Sequence, residues 1–188
     1  MQTDDLLRQV VEVLDRLRLP YFVTGSVATI YFGEPRFTND IDIVVDLPPD
    51  RVRAFCAEFP PDQFYVSEES ARRAVRQRSQ FNVIHPASGL KVDVIVPPDT
   101  PFNRSRFHRA RHLQTASDHQ AVFTSPEDVI LMKMQYFQLG GSEKHLRDIA
   151  GIFKISGSSL DRGYIEHWAR RLELEEVWEL IVERNPLK

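Results

Sequence analysis

The stretch GSVATIYFGEPRFTNDIDIVVDL, residues 25–47, decides how the chain is read. In its last third Ile41, Ile43 and Val45 alternate with Asp40, Asp42, Val44 and Asp46, the period-two pattern of a half-buried strand. Residues i and i+2 of a strand point to the same side, about 6.5–7 Å apart along the chain. Two carboxylates aimed the same way repel, and partial burial strengthens the repulsion. The pair calls for a positive partner.

Outward from that strand the pattern is mixed. A helical stripe (Leu6, Leu7, Val10, Val11, Val13, Leu14, Leu17) starts near Thr3 and stops at Pro20, and a short strand is expected over 21–24. Gly25-Ser26 then turns the chain, with Ser26 a candidate cap for a short helix ending near Gly33. Asp50 and Ser67 are further helix starts, and 80–85 with 90–96 reads as a hairpin about Pro86-Ala87-Ser88-Gly89. Short strands are expected at 112–115 and 121–124. Ser125-Pro126-Glu127-Asp128 combines cap, proline and first-turn acids, so helices follow near 126–139, 143–155, 161–171 and 174–183. The expected fold class is α/β: a mixed sheet flanked by helices over 1–124, and a helical C-terminal extension over 125–188 packed on that core.

With 188 residues, 42% hydrophobic and 27% charged, the composition is that of a soluble globular protein with a full core. One cysteine, Cys56, allows no internal disulfide and points to a reducing compartment. No run approaches the ~20 apolar residues of a membrane span, and MQTDDLLRQV is no signal peptide. A cytoplasmic protein with no membrane partner is expected. The net charge of −3 argues against a general nucleic-acid coat, although residues 71–112 carry nine Lys/Arg against two acids.

Two further features sharpen the Asp40–Asp42 pair. Glycine at 25 lets the backbone approach a ligand, and a helix start with a Ser hydroxyl suits phosphate oxygens. Asp93 in LKVDVIV is a lone acid in a valine-rich strand, costly if buried without a partner. If that strand lies beside the first, three carboxylates converge. Oxygen ligands at a phosphate-binding loop suit hard divalent cations, Mg²⁺ first and Mn²⁺ next. Two such ions, ~3.5–4 Å apart, clamp the attacking and leaving oxygens of a displacement at phosphorus.

Gly25-Ser26, Asp40-Ile-Asp42 and Asp93 together resemble the signature of the nucleotidyltransferase superfamily, which includes DNA polymerase beta and the aminoglycoside nucleotidyltransferases. The fuller string Arg36-Phe-Thr38-Asn-Asp40-Ile-Asp42, with Glu127-Asp128, Lys133 and Arg147-Asp148-Ile149, is most similar to the AbiEii-like toxins of abortive-infection systems. The second motif departs from the Lys-x-Glu often seen there, being Lys91-Val92-Asp93. The resemblance implies a nucleotidyltransferase-like fold and Mg²⁺-dependent transfer of a nucleoside monophosphate from an NTP such as ATP to a hydroxyl, in a toxin–antitoxin or phage-defence setting. By position it implies that Asp40, Asp42 and Asp93 are catalytic and hold the metals. Gly25, Ser26, Arg36, Thr38 and Lys133 would bind the nucleotide, and Asp148 would stand behind them. The acceptor is tRNA, a protein or a small molecule, and a cognate partner protein is implied. The competing class is an antitoxin-like or regulatory binding protein that keeps the fold without catalysis. Three intact, mutually repelling acids favour the enzyme.

Other features read more simply. No histidine has zinc-type spacing; His108 and His112, i and i+4 in RSRFHRARH, are expected to face solvent. Asp148 reads alone as a salt-bridge partner for Arg147 or Lys144. Trp168 and Trp178 read as core or interface anchors. Arg104, Arg106, Arg109 and Arg111 read first as a solvated helix face, and second as a landing strip for a polyanion.

Overall fold

A computed structural model describes residues 1–115 and 119–185; residues 186–188, the end of the expected extension, lie outside the described residues. The chain forms two compact units, Met1–Val27 with Phe37–Phe123, and Ala28–Arg36 with Thr124–Lys188.

The first unit is built on one seven-stranded mixed sheet: β1 (Tyr21–Thr24), β2 (Asp40–Val45), β3 (Tyr65–Val66), β4 (Gln80–His85), β5 (Leu90–Ile95), β6 (Arg111–Gln114) and β7 (Gln120–Phe123). Their order is β3-β4-β5-β2-β1-β7-β6. The pairs β2–β5 and β1–β7 are parallel and the others antiparallel. The expected α/β class and mixed sheet are present. The helices are α1 (Thr3–Arg16), α3 (Val52–Ala57), α4 (Glu68–Gln77) and α5 (Pro101–Arg109), while α2 (Gly25–Phe32) begins in this unit.

Alternation along β2 sorts its two faces. Ile41, Ile43 and Val45 are fully buried, as are Leu6, Val10 and Leu14 on the apolar stripe of α1, which packs on β2 and β5. On the opposite face Val44 is buried, Asp42 is half-buried and Asp40 is exposed. Phe22 is paired with Val44 in the β1–β2 register and lies under α5, where it meets the Phe107 ring at 4.9 Å. The acid-bearing face is thus closed at the Val44 end and open at the Asp40 end.

Ser67 caps α4 as expected, its Oγ accepting from the Ser70 amide at 3.2 Å. Two starts differ from expectation. Asp50 lies in a 3₁₀ turn (Pro49–Arg51) ahead of α3. Ser26 falls inside the first turn of α2, which begins at Gly25.

The second unit contains α6 (Pro126–Gly140), α7 (Glu143–Ser156), α8 (Arg162–Arg171) and α9 (Glu175–Arg184). Ser125 caps α6 through the Asp128 amide. The acids of that first turn are buried but satisfied: Glu127 Oε1 accepts from the Asp161 amide at 2.9 Å, and Asp128 accepts from Tyr164 Oη at 2.8 Å and Ser125 Oγ at 2.9 Å. Gly141 ends α6 at φ +65°, a left-handed stop that glycine adopts without strain. Trp168 and Trp178 are buried, the latter against Phe153, so both serve the helical core.

Candidate active site

The register of β2 and β5 brings the acids together. Asp42 lies opposite Asp93 and Asp40 opposite Lys91, so all four side chains share one face. Thr24 on β1 and Asn82 on β4 extend the row to Thr24–Asp42–Asp93–Asn82 across four strands. Three of the sequence-predicted site residues, Asp40, Asp42 and Asp93, are therefore neighbours.

Each carboxylate has a different environment. Asp93 is 9% exposed and accepts from Asn82 Nδ2 and from Lys91 Nζ, the latter at 3.0–3.1 Å to both oxygens. Lys91 Nζ also stands 3.4 Å from Asp40 Oδ1. Its pKa is raised, chiefly by the hydrogen bond to Asp93 and further by the charges of Asp93 and Asp40. Burial pushes the Asp42 carboxyl above its usual range, and the charges of Asp93 and Asp40 push it further, against the Ser26 amide hydrogen bond and Lys91. Among the described residues no three His, Cys, Asp or Glu side chains already form a metal-ligating group. The Lys91 ammonium stands between the Asp40 and Asp93 carboxylates.

Gly25 closes the site from above. It adopts φ +60°, and a Cβ there would sit 1.9 Å from Asp42 Oδ2. Only glycine lets the β1–α2 turn approach the carboxylate this closely. Thr38 prepares the entry to β2: its Oγ1 accepts from the Asp40 amide at 3.4 Å and donates to the Asp40 carbonyl at 3.2 Å.

Arg36, Lys133 and Asp148 belong to the helical unit and meet there. Arg36 Nε and Nη2 donate to the two oxygens of Asp148 at 3.1 and 3.3 Å, and Lys133 Nζ donates to Oδ2 at 2.6 Å. Burial lowers the Lys133 pKa. For Asp148 burial acts upward, but the Lys133 and Arg36 cations outweigh it and hold the carboxyl below its usual range. The partners of Asp148 are thus distant in sequence and not its helix neighbours Arg147 or Lys144. Those two instead line a cavity of about 340 Å³ with Arg36, Glu34 and Gly151.

Lys91 and Asn82 are the site residues that sequence reasoning missed. Lys91 was legible as the residue two before Asp93 on the same strand face. Asn82 follows from counting back across the hairpin.

The basic segment is not one solvated face. Arg106 is 4% exposed, its guanidinium 4.8 Å over the Phe22 ring and 5.7 Å over Phe102. Arg104 pairs with Asp99 at 2.7 Å, and Arg111 lies on β6. His108 is on α5 and His112 on β6, so they are not turn neighbours on one helix. Burial pushes the Cys56 thiol up to about 11, which leaves little thiolate at neutral pH. No helix among the described residues is long and apolar enough to cross a membrane.

No protein-family model and no curated protein matches the chain. Solved structures do. An antigenic nucleotidyltransferase-like protein from Paracoccidioides brasiliensis aligns over 98% of this chain and 88% of its own, at 18% identity and a TM-score of 0.60. The lincosamide antibiotic adenylyltransferase LnuA, in its lincomycin-bound structure, aligns over 80% and 96%, at 15% identity and 0.53. ANT(2")-Ia in complex with adenylyl-2"-tobramycin aligns over 93% and 97%, at 15% identity and 0.50. The fold is nucleotidyltransferase-like.

Proposed function

We propose that the chain transfers a nucleoside monophosphate from an NTP to a hydroxyl group. The observation that carries this reading is the Asp42–Asp93 register under Gly25, on a face that opens at Asp40. The residues also fit a divalent cation. Their donors are all carboxylate oxygens, and the β2–β5 register sets Asp42 beside Asp93 on the strand face that also carries Asp40. Asp40, Asp42 and Asp93 would hold Mg²⁺, or Mn²⁺ in its place, as a two-ion site; when bound, the ions neutralise triphosphate charge and polarise the reacting oxygens.

In the proposed reaction the acceptor oxygen bonds to the α-phosphorus, the bond from that phosphorus to the α–β bridging oxygen breaks, and pyrophosphate leaves. The hydroxyl proton passes to Asp93, which Asn82 orients. Gly25 and Ser26 form the phosphate loop, with Thr38 fixing Asp40. For the helical unit the same proposal is carried by residue: Arg36 and Lys133 lend charge to the nucleotide while Asp148 holds both. ATP is the first nucleotide to test, because two fold neighbours are named for adenylyl chemistry. The acceptor is a small molecule, a protein or tRNA, in a cytoplasmic toxin–antitoxin or defence setting with a cognate partner protein.

A binding-only, regulatory reading draws on one observation: Lys91 already neutralises part of the acid cluster without any ligand. Incubation with α-³²P-labelled NTPs and a cell lysate separates the two readings. Label moves to an acceptor with wild-type protein and not with Asp42→Asn if the chain is a transferase. No labelled acceptor with any NTP overturns the enzymatic reading.

A further inference from the structure

The acid cluster carries its own cation. Lys91 is placed by register opposite Asp40 and by strand periodicity beside Asp93, and its ammonium contacts both carboxylates at 3.0–3.4 Å. Lys91 itself is 40% exposed at its side chain, so it has a route into solvent, whereas the Asp93 side chain is 12% exposed and has none. A divalent ion held by Asp40 and Asp93 would share ligands with an ammonium in van der Waals reach, and like charges at that separation repel strongly. Both cannot keep the same oxygens.

Resting on the metal-dependent reading above, we propose that Lys91 is a built-in competitor for the divalent cation: it holds Asp40 and Asp93 together in the metal-free protein and must release them for metal to bind. The charge balance gives this competition a purpose. Three carboxylates and one ammonium leave the cluster too little negative to capture a cation readily. An incoming triphosphate supplies further negative charge, both for the metal and for the displaced ammonium. Metal and nucleotide then bind with positive coupling, and by linkage each strengthens the other equally. Lys91 is a positioning residue in this scheme, because it acts through the carboxylates.

The test is Mn²⁺ binding followed by the electron paramagnetic resonance signal of the free ion, with and without ATP, for wild type, Lys91→Met and Lys91→Gln. Removing the competitor should tighten Mn²⁺ binding without ATP by about tenfold, inside the usual range of such couplings, and shrink the gain that ATP provides. Circular dichroism melts show that the variants fold. The metal-free variants should melt below wild type, and Mn²⁺ should restore them. If Mn²⁺ binds wild type and both variants equally, or binds the variants more weakly, the metal reading stands and the role of Lys91 falls. If Mn²⁺ binds none of them even with ATP, the metal reading falls and this inference with it.

Discussion

Asp42 and Asp93 lie opposite one another across the parallel β2–β5 pair, and Gly25 approaches Asp42 so closely that no Cβ would fit between them. Two acids held in register under a backbone turn raise the free energy of the folded protein. The Asp42 carboxyl shows the strain as a pKa above its usual range, from burial first and Asp93 second. Residues that oppose stability in this way are candidates for a functional site.

Asp42→Asn is therefore expected to stabilise the metal-free protein at neutral pH. A carboxyl whose folded pKa is raised favours the folded state when protonated, and that advantage is lost as pH rises through the folded pKa. Wild type and variant should match below the unfolded value of about 3.9. Above the folded value the variant should melt higher, by about 2–4 °C for each kcal/mol recovered. Melting curves between pH 3.5 and 8 check this, and an equal or lower melting temperature for the variant at pH 8 contradicts it.

Gly25→Ala tests the other half of the pair. The alanine must adopt φ +60° and push Asp42 aside, so the backbone term alone costs about 1–2 kcal/mol. Urea unfolding should show at least that loss. Calorimetric titration with ATP and Mg²⁺ should show a larger loss of affinity than the unfolded fraction accounts for. Full affinity in the folded variant would remove Gly25 from the phosphate loop.

Asp148→Asn probes the helical unit. It leaves the buried Lys133 and the half-buried Arg36 without their shared carboxylate, a change that costs about 3–5 kcal/mol when one partner of a buried pair is removed. Because the Asp148 pKa is lowered, its stabilisation is present above the unfolded value of about 3.9 and disappears as pH falls through the folded one. The double variant Lys133→Met with Asp148→Leu should recover most of the loss, since Arg36, 27% exposed at its side chain, reaches water. A double variant no more stable than Asp148→Asn would show that packing, not charge, is at stake.

What the sequence disclosed about this site, and what it withheld, follows from the range of each interaction. The alternation of Ile41, Ile43 and Val45 with Asp40 and Asp42 is local, so strand and face were legible. The hairpin linking 80–85 to 90–95 is nearly local, so Asn82 opposite Asp93 was within reach of counting. The β2–β5 pairing joins strands separated by two helices and two strands, and no local pattern sets its register. Arg36 and Asp148 are 112 positions apart, which is why a helix neighbour was the natural but incorrect partner. Arg106 misled for another reason: charge implies solvent unless an aromatic face accepts the cation, and Phe22 lies 84 residues upstream.

That burial decides the last prediction. Of the four arginines between 104 and 111, Arg106 is stacked on Phe22 and Phe102, and Arg104 is paired with Asp99. Arg111 and His112 sit on the outermost strand β6, where charge guards a sheet edge against pairing with another chain. A landing strip for RNA would need these side chains on one exposed face, and they are not. Arg106→Ala should cost about 2 kcal/mol of stability in urea through lost stacking and packing. Replacing Arg104 and Arg111 with serine should leave both stability and the salt dependence of tRNA binding essentially unchanged in filter-binding titrations at three salt concentrations. Two genuine contacts to single-stranded phosphates would instead flatten the log–log slope by roughly 1.4 when removed. A slope change of that size would restore the polyanion role to this segment and place RNA first among the acceptors.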